Sequence, residues 1–317
     1  MKRRLTLGRA QRSMLEMNAL DPLLTADSPA KTVAFVVRRA GGADGPPTPL
    51  VFASPHSGRY YPPEMMSAAA LDAVSIRRSE DAFVDDLIAA APDHGAALIT
   101  ANFARAYIDL NREPFELDAS MFADELPEFA RGRTARVAAG LGTIARVVSE
   151  GQEIYHRKLM FAEAETRIAG AHRPYHEALV ALIVEAQAAH GFAILVDWHS
   201  MPSAAARAGA RDRPSDMVLG DRFGAACAAV LPTRVERELE AMGYRVARNA
   251  PYAGGYTTEH YGRPHRGVHA IQIEINRALY LDEATVSPTP GFARLKGHID
   301  DLTRALAEAD WSGLRSG

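Results

Sequence analysis

Short apolar runs along the chain alternate with longer stretches in which apolar residues recur at helical spacing. The short runs predict β-strands at 32–38, 50–53, 98–101, 106–110, 192–197, 244–248 and 268–275. The longer stretches predict helices at 79–91 and 217–242. Strands separated by helices are typical of βαβ units, in which helices cover both faces of the sheet. The pattern therefore predicts a three-layer α/β fold with a mostly parallel or mixed sheet.

Two segments depart from this alternation. Residues 1–30 are polar and lack a clear period, so we expect an N-terminal arm that is ordered only where it docks. Residues 31–317 are predicted to form a single α/β domain. Within it, 119–190 is rich in Ala, Glu and Arg with apolar residues at helical intervals, which predicts a mainly helical insertion.

Composition and charge narrow the class of protein. With 47% hydrophobic residues among 317, the chain can bury the core of a large α/β domain. A formal net charge of −3 gives no electrostatic reason to expect nucleic acid or an anionic membrane as partner. No apolar run reaches the roughly 18 residues that a membrane span needs. A single cysteine, Cys227, excludes an intrachain disulfide framework, and we expect a cytoplasmic protein.

Polar residues that carry chemistry follow several of the apolar runs. His56 comes just after 50–53, Arg112 just after 106–110, and His199 just after 192–197, while Glu274 interrupts the last run. Ligands of open α/β sheets bind beyond the carboxyl ends of the strands, where these residues are expected to meet. A buried Glu274 without a partner would cost several kcal/mol in desolvation, so a cation or a proton is expected beside it.

The histidines suggest a metal centre. Two imidazoles and one carboxylate leave one tetrahedral position on zinc open for water, as in catalytic zinc sites. His56 and His199 supply the imidazoles. The carboxylate is expected from the acidic cluster at 79–86, with Asp81 preferred and Glu80 as the alternative. A solvated acidic face at a helix start remains the competing interpretation of that cluster.

The remaining candidates suggest hydrolysis of an amide. A carboxylate such as Glu274, near the metal but not bound to it, can take the proton of the attacking water and pass it to the leaving amine. Arg112 presents a planar fork of donors suited to a substrate carboxylate. Together these residues indicate metal-assisted hydrolysis of an amide in a small acidic substrate.

Six ordered segments between about residues 50 and 283 carry a family resemblance. They are SPHSG, SEDAFVDDL, YIDLNRE, VDWHS, PYAGGYTTEHYG and HAIQIEINRALYLDE. In this order they resemble the N-formylglutamate amidohydrolase family, and the pattern is distantly similar to zinc carboxypeptidases. The resemblance implies a phosphorylase/hydrolase-like fold, with N-formyl-L-glutamate and water converted to formate and L-glutamate.

The resemblance also implies roles for individual residues. Zinc would bind His56, an early acid and His199, with Glu274 as the base. Asn111 and Arg112 would hold the substrate's α-carboxylate. The glycine-rich loop at 252–262 would cover the substrate, with Gly254 and Gly255 allowing close backbone approach and Tyr256 reaching the carbonyl or the leaving group. Arg105 is a candidate for stabilising the oxyanion, and Ser200 for a hydrogen bond to substrate or to a metal-site residue.

Two positions differ from the relatives. Carboxypeptidases place a ligating glutamate three residues after the first histidine, where this chain has Arg59. Some family members have an arginine where this chain has Pro202. A second substrate carboxylate needs its own cation, and the candidates to supply it are Arg105, Arg207, Arg211 and Arg248.

Three alternatives stay open at this point. The substrate could be another N-acyl amino acid or a short peptide, cleaved by a deacylase or carboxypeptidase-like hydrolase. The chain could instead be a non-catalytic metal or amino-acid binding protein, although a base such as Glu274 is not required for binding alone. His172 and His176, four residues apart, could form a second metal site, but Pro174 is expected to start the helix between them.

Overall fold

The computed structural model describes residues 32–40, 45–148, 151–207 and 213–314. The arm predicted for 1–30 and the candidate Arg211 lie outside these ranges. Among the helices in the described ranges, none combines the length and the apolar character that crossing a membrane requires.

The centre of the fold is a seven-stranded mixed sheet in the order β1-β3-β2-β4-β7-β5-β6. The four central strands, β3, β2, β4 and β7, run parallel to one another. Strand β1 is antiparallel to β3, and β5 is antiparallel to β7. A separate antiparallel pair, β8 and β9, lies near the carboxyl end of the chain. The strands are β1 Phe35–Arg38, β2 Leu50–Ser54, β3 Ala97–Ala101, β4 Ala193–Met201, β5 Met217–Gly220, β6 Val246–Arg248, β7 Val268–Asn276, β8 Leu281–Asp282 and β9 Ser287–Pro288.

Helices of very different lengths connect the strands. The described α-helices are α1 Pro63–Ala68, α2 Val84–Leu87, α3 Ala135–Ala138, α4 Phe161–Arg167, α5 Arg173–His190, α6 Ser203–Ala206, α7 Val230–Ala241, α8 Tyr256–Tyr261 and α9 Gly291–Ala307. A π-helical turn, Ile168–His172, joins α4 to α5. Short 3₁₀ turns span Ser75–Ser79, Ala91–His94, Ala119–Met121, Glu128–Ala130, Pro264–Arg266, Arg277–Leu279 and Ser312–Leu314.

Two apolar cores lie on opposite faces of the sheet. Along β2, Val51 and Ala53 belong to one core and Leu50 and Phe52 to the other, as the two-residue period of a strand requires. Helix α5 packs into the first core, and α7 and α9 pack into the second. The three-layer α/β fold is therefore confirmed, with four parallel central strands, antiparallel pairing of β1 with β3 and of β5 with β7, and an edge strand β6 that is parallel to β5.

Three predicted elements differ from the structure. Residues 106–110 form a buried turn instead of a strand, because the Asp109 N–H donates to the Thr143 carbonyl (2.8 Å) and not to a sheet ladder. The helix predicted at 217–242 contains the buried strand β5 and begins only at Val230. The helix predicted at 79–91 is reduced to α2, since Phe83 adopts a left-handed φ of 63° and residues before it turn towards the sheet.

The segment 119–190 is helical in its second half. Helices α4 and α5 and the turn between them run continuously from 161 to 190. In the described part of 119–160, short turns alternate with irregular chain that contains several glycines and Pro127. Glycine and proline interrupt helices, so helical spacing of apolar residues alone overstated the helix content here.

Candidate active site

Near the carboxyl end of β4, one face of the strand stays apolar and the other becomes polar. Val196 and Trp198 stay within the apolar core, whereas Asp197 and His199 lie on the opposite face and are also buried. His56, just after β2, reaches the same place because β2 and β4 are neighbouring parallel strands. The site therefore stands at the carboxyl edge of the parallel strands, as the sequence predicted.

Three candidate ligand atoms converge at this edge. The Nδ1 atoms of His56 and His199 are 3.1 Å apart, and Oδ2 of Asp81 lies 3.3 Å from the first and 2.9 Å from the second. Ligand atoms roughly 2.0–2.1 Å from a tetrahedral zinc ion lie about 3.3 Å from one another. The observed spacing is close to that value, and all three side chains are buried. Among the described residues, this is the group with metal-ligand geometry.

A carboxylate stands behind each histidine. Nε2 of His56 is 2.6 Å from Oδ1 of Asp109, and Nε2 of His199 is 2.9 Å from Oδ2 of Asp197. An ionised carboxylate only accepts hydrogen bonds, so we assign the ring proton to Nε2 in both histidines. Both Nδ1 lone pairs then face the Asp81 carboxylate, an arrangement of three acceptors that a cation satisfies.

The electrostatics of the cluster favour positive charge. Burial lowers the pKa of His199, but the charges and hydrogen bonds of Asp197 and Asp81 outweigh burial and raise the pKa well above its usual value. Burial raises the pKa of Asp81, but hydrogen bonds from protonated His199 and His56, together with their charges, outweigh burial and hold that pKa well below the usual range. The site therefore holds a positive charge strongly, whether as a proton or as a metal ion.

The structure distinguishes between the two candidate acids. The Asp81 N–H donates to the His56 carbonyl (3.0 Å), and Oδ1 of Asp81 accepts from Arg277 (3.0 Å) and from Ser200 (3.4 Å). Glu80 instead accepts from the Tyr61 hydroxyl (2.7 Å). Asp81 joins the cluster and Glu80 does not, while Ser200 contacts Asp81 from the edge of the pocket.

Glu274 lies beside the cluster on β7. Its side chain and that of Gln272 share the polar face of the strand, and Gln272 Nε2 donates to Glu274 Oε1 (2.8 Å). Burial raises the pKa of Glu274, the charge of His199 lowers it, and that of Asp81 raises it, leaving a pKa of about 7. Such a carboxyl group can take up and release a proton near neutral pH.

Asn111 and Arg112 occupy different surroundings. Asn111 Nδ2 donates to Asp197 (3.3 Å), and Asn111 Oδ1 accepts from the Thr257 N–H (2.7 Å). Both ends of this amide therefore have protein partners, and Asn111 positions the residues around His199. Arg112 donates to the carbonyls of Asn111 (2.7 Å) and Leu141 (2.9 Å), and both Asn111 and Arg112 line the pocket.

A pocket of about 630 Å³ opens over the cluster. Arg105 enters it and pairs with Asp109 (2.6 Å). Pro202 also lines it, so the position at which some relatives carry an arginine does belong to the pocket. The other lining residues include Arg78, Arg136, Leu141, Ala145, Val147, Val148, Arg222, Tyr252, Gly254, Gly255 and Arg277.

The glycine-rich loop brings its backbone close to the site, as predicted. A Cβ on Gly255 would lie 2.3 Å from Nδ2 of Asn111, so a side chain does not fit there. The Gly255 N–H donates to Gln272 (2.7 Å), which also holds Glu274. Gly254 has φ of 117°, a conformation that favours glycine.

Tyr256, the predicted contact to the carbonyl or the leaving group, is not among the residues that line the pocket. Tyr256 begins α8, and its ring packs against His176 (centroids 5.5 Å apart) and His260 (4.8 Å) instead of lining the pocket. Tyr252, four residues earlier, lines the pocket instead. The helical turn at 256–261 rotates Tyr256 away from the chain that approaches the site.

Other candidate cations have different partners. Arg248 pairs with Glu236 on the far side of β6, and Arg207 is not among the residues that line the pocket. Arg59, at the position of the carboxypeptidase ligand, pairs with Asp85 and Asp86 (2.8 Å each). Asp85 and Asp86, two acids of the cluster at 79–86, therefore have a structural partner in Arg59.

Sequence reasoning missed several residues of the site. Asp109 holds His56, Arg277 holds Asp81, and Gln272 holds Glu274. The two-residue alternation along β7 already grouped Gln272 with Glu274, which was a usable signal. For Asp109 and Arg277 no spacing rule applies, because each reaches its partner across the fold.

The fold and the site together define an α/β protein with a buried, carboxylate-backed His-Asp-His centre. Residues 48–281 match the model of the N-formylglutamate amidohydrolase family, and the chain belongs to this family. It is 29% identical to N-formylglutamate deformylase of Pseudomonas aeruginosa over 239 residues, 74% of this chain and 83% of that protein. The deformylase of Pseudomonas putida is also 29% identical, over 74% of this chain and 82% of that protein.

Solved structures agree with this assignment. The crystal structure of N-formylglutamate amidohydrolase from Ralstonia eutropha JMP134 superposes with a TM-score of 0.78 at 37% identity, covering 87% of this chain and 97% of that one. A protein from Agrobacterium tumefaciens gives a TM-score of 0.62 at 18% identity, covering 88% and 97%, and shares the fold.

Proposed function

We propose that the protein is a zinc-dependent amidohydrolase that converts N-formyl-L-glutamate and water to formate and L-glutamate. The observation that carries the proposal is the convergence of two Nδ1 atoms and one Asp81 oxygen, with a carboxylate behind each histidine and Glu274 beside them. Membership of the N-formylglutamate amidohydrolase family supports the choice of substrate.

His56, Asp81 and His199 are the residues that would hold the metal. A bound zinc ion supplies a Lewis acid that polarises an amide carbonyl and increases the acidity of water. Asp109 and Asp197 keep the ring protons on Nε2, so that both Nδ1 atoms stay available as ligands. Arg277 and Ser200 hold the second oxygen of Asp81, leaving Oδ2 directed to the same point.

Glu274 acts as the base and then as the acid. In its ionised form it takes a proton from the water that attacks the formyl carbon, and it returns that proton to the amine nitrogen as the C–N bond breaks. Gln272 donates to one oxygen of the carboxylate, which keeps the other free for this transfer. A pKa of about 7 allows both half-steps near neutral pH.

Two arginines suit the charges of the substrate. Arg112 is assigned to the α-carboxylate, since it lines the pocket and its planar guanidinium suits a carboxylate. Arg105, held by Asp109, is assigned to the negative charge that develops on the formyl oxygen. Both assignments use charges that are already in position before substrate binds.

Metal analysis combined with formate release tests the proposal. The purified protein should contain about one zinc ion per chain and release formate from N-formyl-L-glutamate. A chelator should abolish activity, and added zinc should restore it. Asp81→Asn should lower both metal content and activity, whereas the matched control Asp86→Asn, in an acid that pairs with Arg59, should change neither.

Two results would contradict this function in different ways. Full activity of metal-free protein would exclude the metal mechanism. Slow turnover of N-formyl-L-glutamate with fast turnover of N-acetyl-L-glutamate or of a dipeptide would leave the mechanism intact and exclude the substrate.

A further inference from the structure

One arginine of the pocket differs from its neighbours. Arg136, on α3, lines the pocket beside an apolar wall that includes Leu141 and Val147. Among the residues that the structure describes, its guanidinium makes no hydrogen bond and no ion pair. A half-buried guanidinium has five donors, so this one is available to an anion in the pocket.

Other arginines of the pocket are neutralised by the protein. Arg105 pairs with Asp109 (2.6 Å) and Arg277 with Asp81 (3.0 Å). Arg222 pairs with Glu259 (3.0 Å). Among the described residues, an acid competes with a substrate carboxylate for each of these three cations, but no acid competes for Arg136.

Arg136 also lies near Arg112. Burial lowers the pKa of Arg112, the charges of Asp109 and Glu116 raise it, and the positive charges of Arg105 and Arg136 lower it. The oxygens of Asp109 already accept from His56, Asn111 and Arg105, and Glu116 accepts from the Thr134 hydroxyl. Arg105, Arg112 and Arg136 therefore outnumber the two described carboxylates that act on Arg112, and an anionic ligand relieves the repulsion among them.

We propose that Arg136 binds the side-chain carboxylate of an N-acyl dicarboxylic amino acid whose α-carboxylate is bound by Arg112. This inference rests on the proposed function for its substrate class. The methylene groups between the two carboxylates would lie against Leu141 and Val147, which present apolar surface between polar groups of the pocket. Arg136 then discriminates a charged side chain from a neutral one of the same shape.

Steady-state kinetics on an isosteric pair of substrates test this role. N-formyl-L-glutamate and N-formyl-L-glutamine differ in the charge at the side-chain end. In Arg136→Gln, kcat/KM for the glutamate compound should fall by about tenfold to a hundredfold, mainly through KM, and that for the glutamine compound by less than about twofold. Arg136→Lys should restore part of the loss, since charge returns without the planar fork.

A control and a binding measurement separate this proposal from the proposed function. Arg133→Gln, in an exposed arginine of the same segment that pairs with Glu128, should leave both substrates unchanged. Calorimetry should show that Arg136→Gln weakens binding of L-glutamate by about tenfold or more and leaves L-glutamine unchanged. Binding of L-glutamate reports on the subsite without catalytic turnover. This result therefore supports the role of Arg136 even if no formyl compound is hydrolysed.

The overturning results are equally specific. Equal losses for the two substrates in Arg136→Gln would make Arg136 a structural residue. Unchanged kinetics and unchanged L-glutamate binding would remove it from the subsite altogether.

Discussion

The protein contains two buried pairs of histidines with similar ring spacing. The rings of His56 and His199 have centroids 4.7 Å apart, and those of His172 and His176 are 4.3 Å apart. The first pair comes from two strand ends far apart in the chain. The second pair lies four residues apart, at the junction between the π-helical turn and α5.

The partners of the ring nitrogens separate the two pairs. Carboxylates flank the first pair on both sides. In the second pair, Nε2 of His172 bonds the Arg112 carbonyl (2.9 Å), while His176 bonds the Leu110 carbonyl (2.9 Å) and the Tyr261 hydroxyl (2.8 Å). Burial and the charge of His172 lower the pKa of His176 to about 3, because the hydrogen bond to the neutral Leu110 carbonyl does not offset them.

This difference shows that the charge of the partners decides what a histidine pair does. Histidines with carboxylates behind them direct lone pairs at a common point and favour a cation there. Histidines that hydrogen-bond backbone carbonyls hold two segments together, here α5 and the Leu110–Arg112 segment that reaches the site. The interpretation of His172 and His176 as a second metal site therefore finds no support in the described residues.

The largest expected effect follows from removing a ligand of the first pair. His199→Ala should lose most of the bound metal and at least about a thousandfold in kcat/KM, since the Lewis acid contributes several kcal/mol. Metal content by mass spectrometry and formate release measure both quantities. If His172→Ala lost metal to the same extent, the contrast between the two pairs would be wrong.

The next prediction concerns Glu274, the carboxylate beside the first pair of histidines. Glu274→Gln keeps the shape of the side chain but removes the base, so kcat should fall by about 10²–10⁴-fold while metal content stays unchanged. Full activity in this variant would exclude Glu274 as the base.

The pH profile gives a second measure of Glu274. Its ionised form is the base, so kcat/KM should fall as pH decreases through the pKa of about 7, and a bound cation should move this limb to lower pH. A profile in which activity rises below pH 7 would contradict the assignment.

Smaller effects are expected from changing the carboxylates that contact the first pair of histidines. Asp197→Asn and Asp109→Asn should each weaken metal affinity by about 10–100-fold, because the amide no longer sets the ring tautomer as a carboxylate does. Competition with a metal-sensitive dye gives the affinity. Unchanged affinity in both variants would mean that the carboxylates do not tune the ligands.

The smallest effect is expected in the second pair. His176→Gln should leave metal affinity unchanged and reduce the free energy of unfolding by about 1–3 kcal/mol, because buried hydrogen bonds to Leu110 and Tyr261 are disturbed. Chemical denaturation and metal titration measure the two quantities. A loss of metal without a loss of stability would reverse the roles assigned to the pairs.

Sequence patterns predicted the parts of the site that obey local rules. The apolar runs located β2, β4 and β7, and the polar residues that follow or interrupt them are His56, His199 and Glu274. The preference for Asp81 over Glu80 agrees with the structure, and so does the close approach at Gly255. The structure places Tyr256 in α8 and not along the pocket, and the helical turn that rotates it cannot be read from a glycine-rich segment.

The sequence by itself determined the alternation of strands and helices, the chemistry available at the strand ends and the family resemblance. Only the tertiary structure decided which groups meet: Asp109 behind His56, Arg277 on Asp81, and Arg136 in the pocket without an acid partner among the described residues. The physical reason is that hydrophobic periods depend on neighbours along the chain, whereas pairing of buried charges depends on distances between segments brought together by folding.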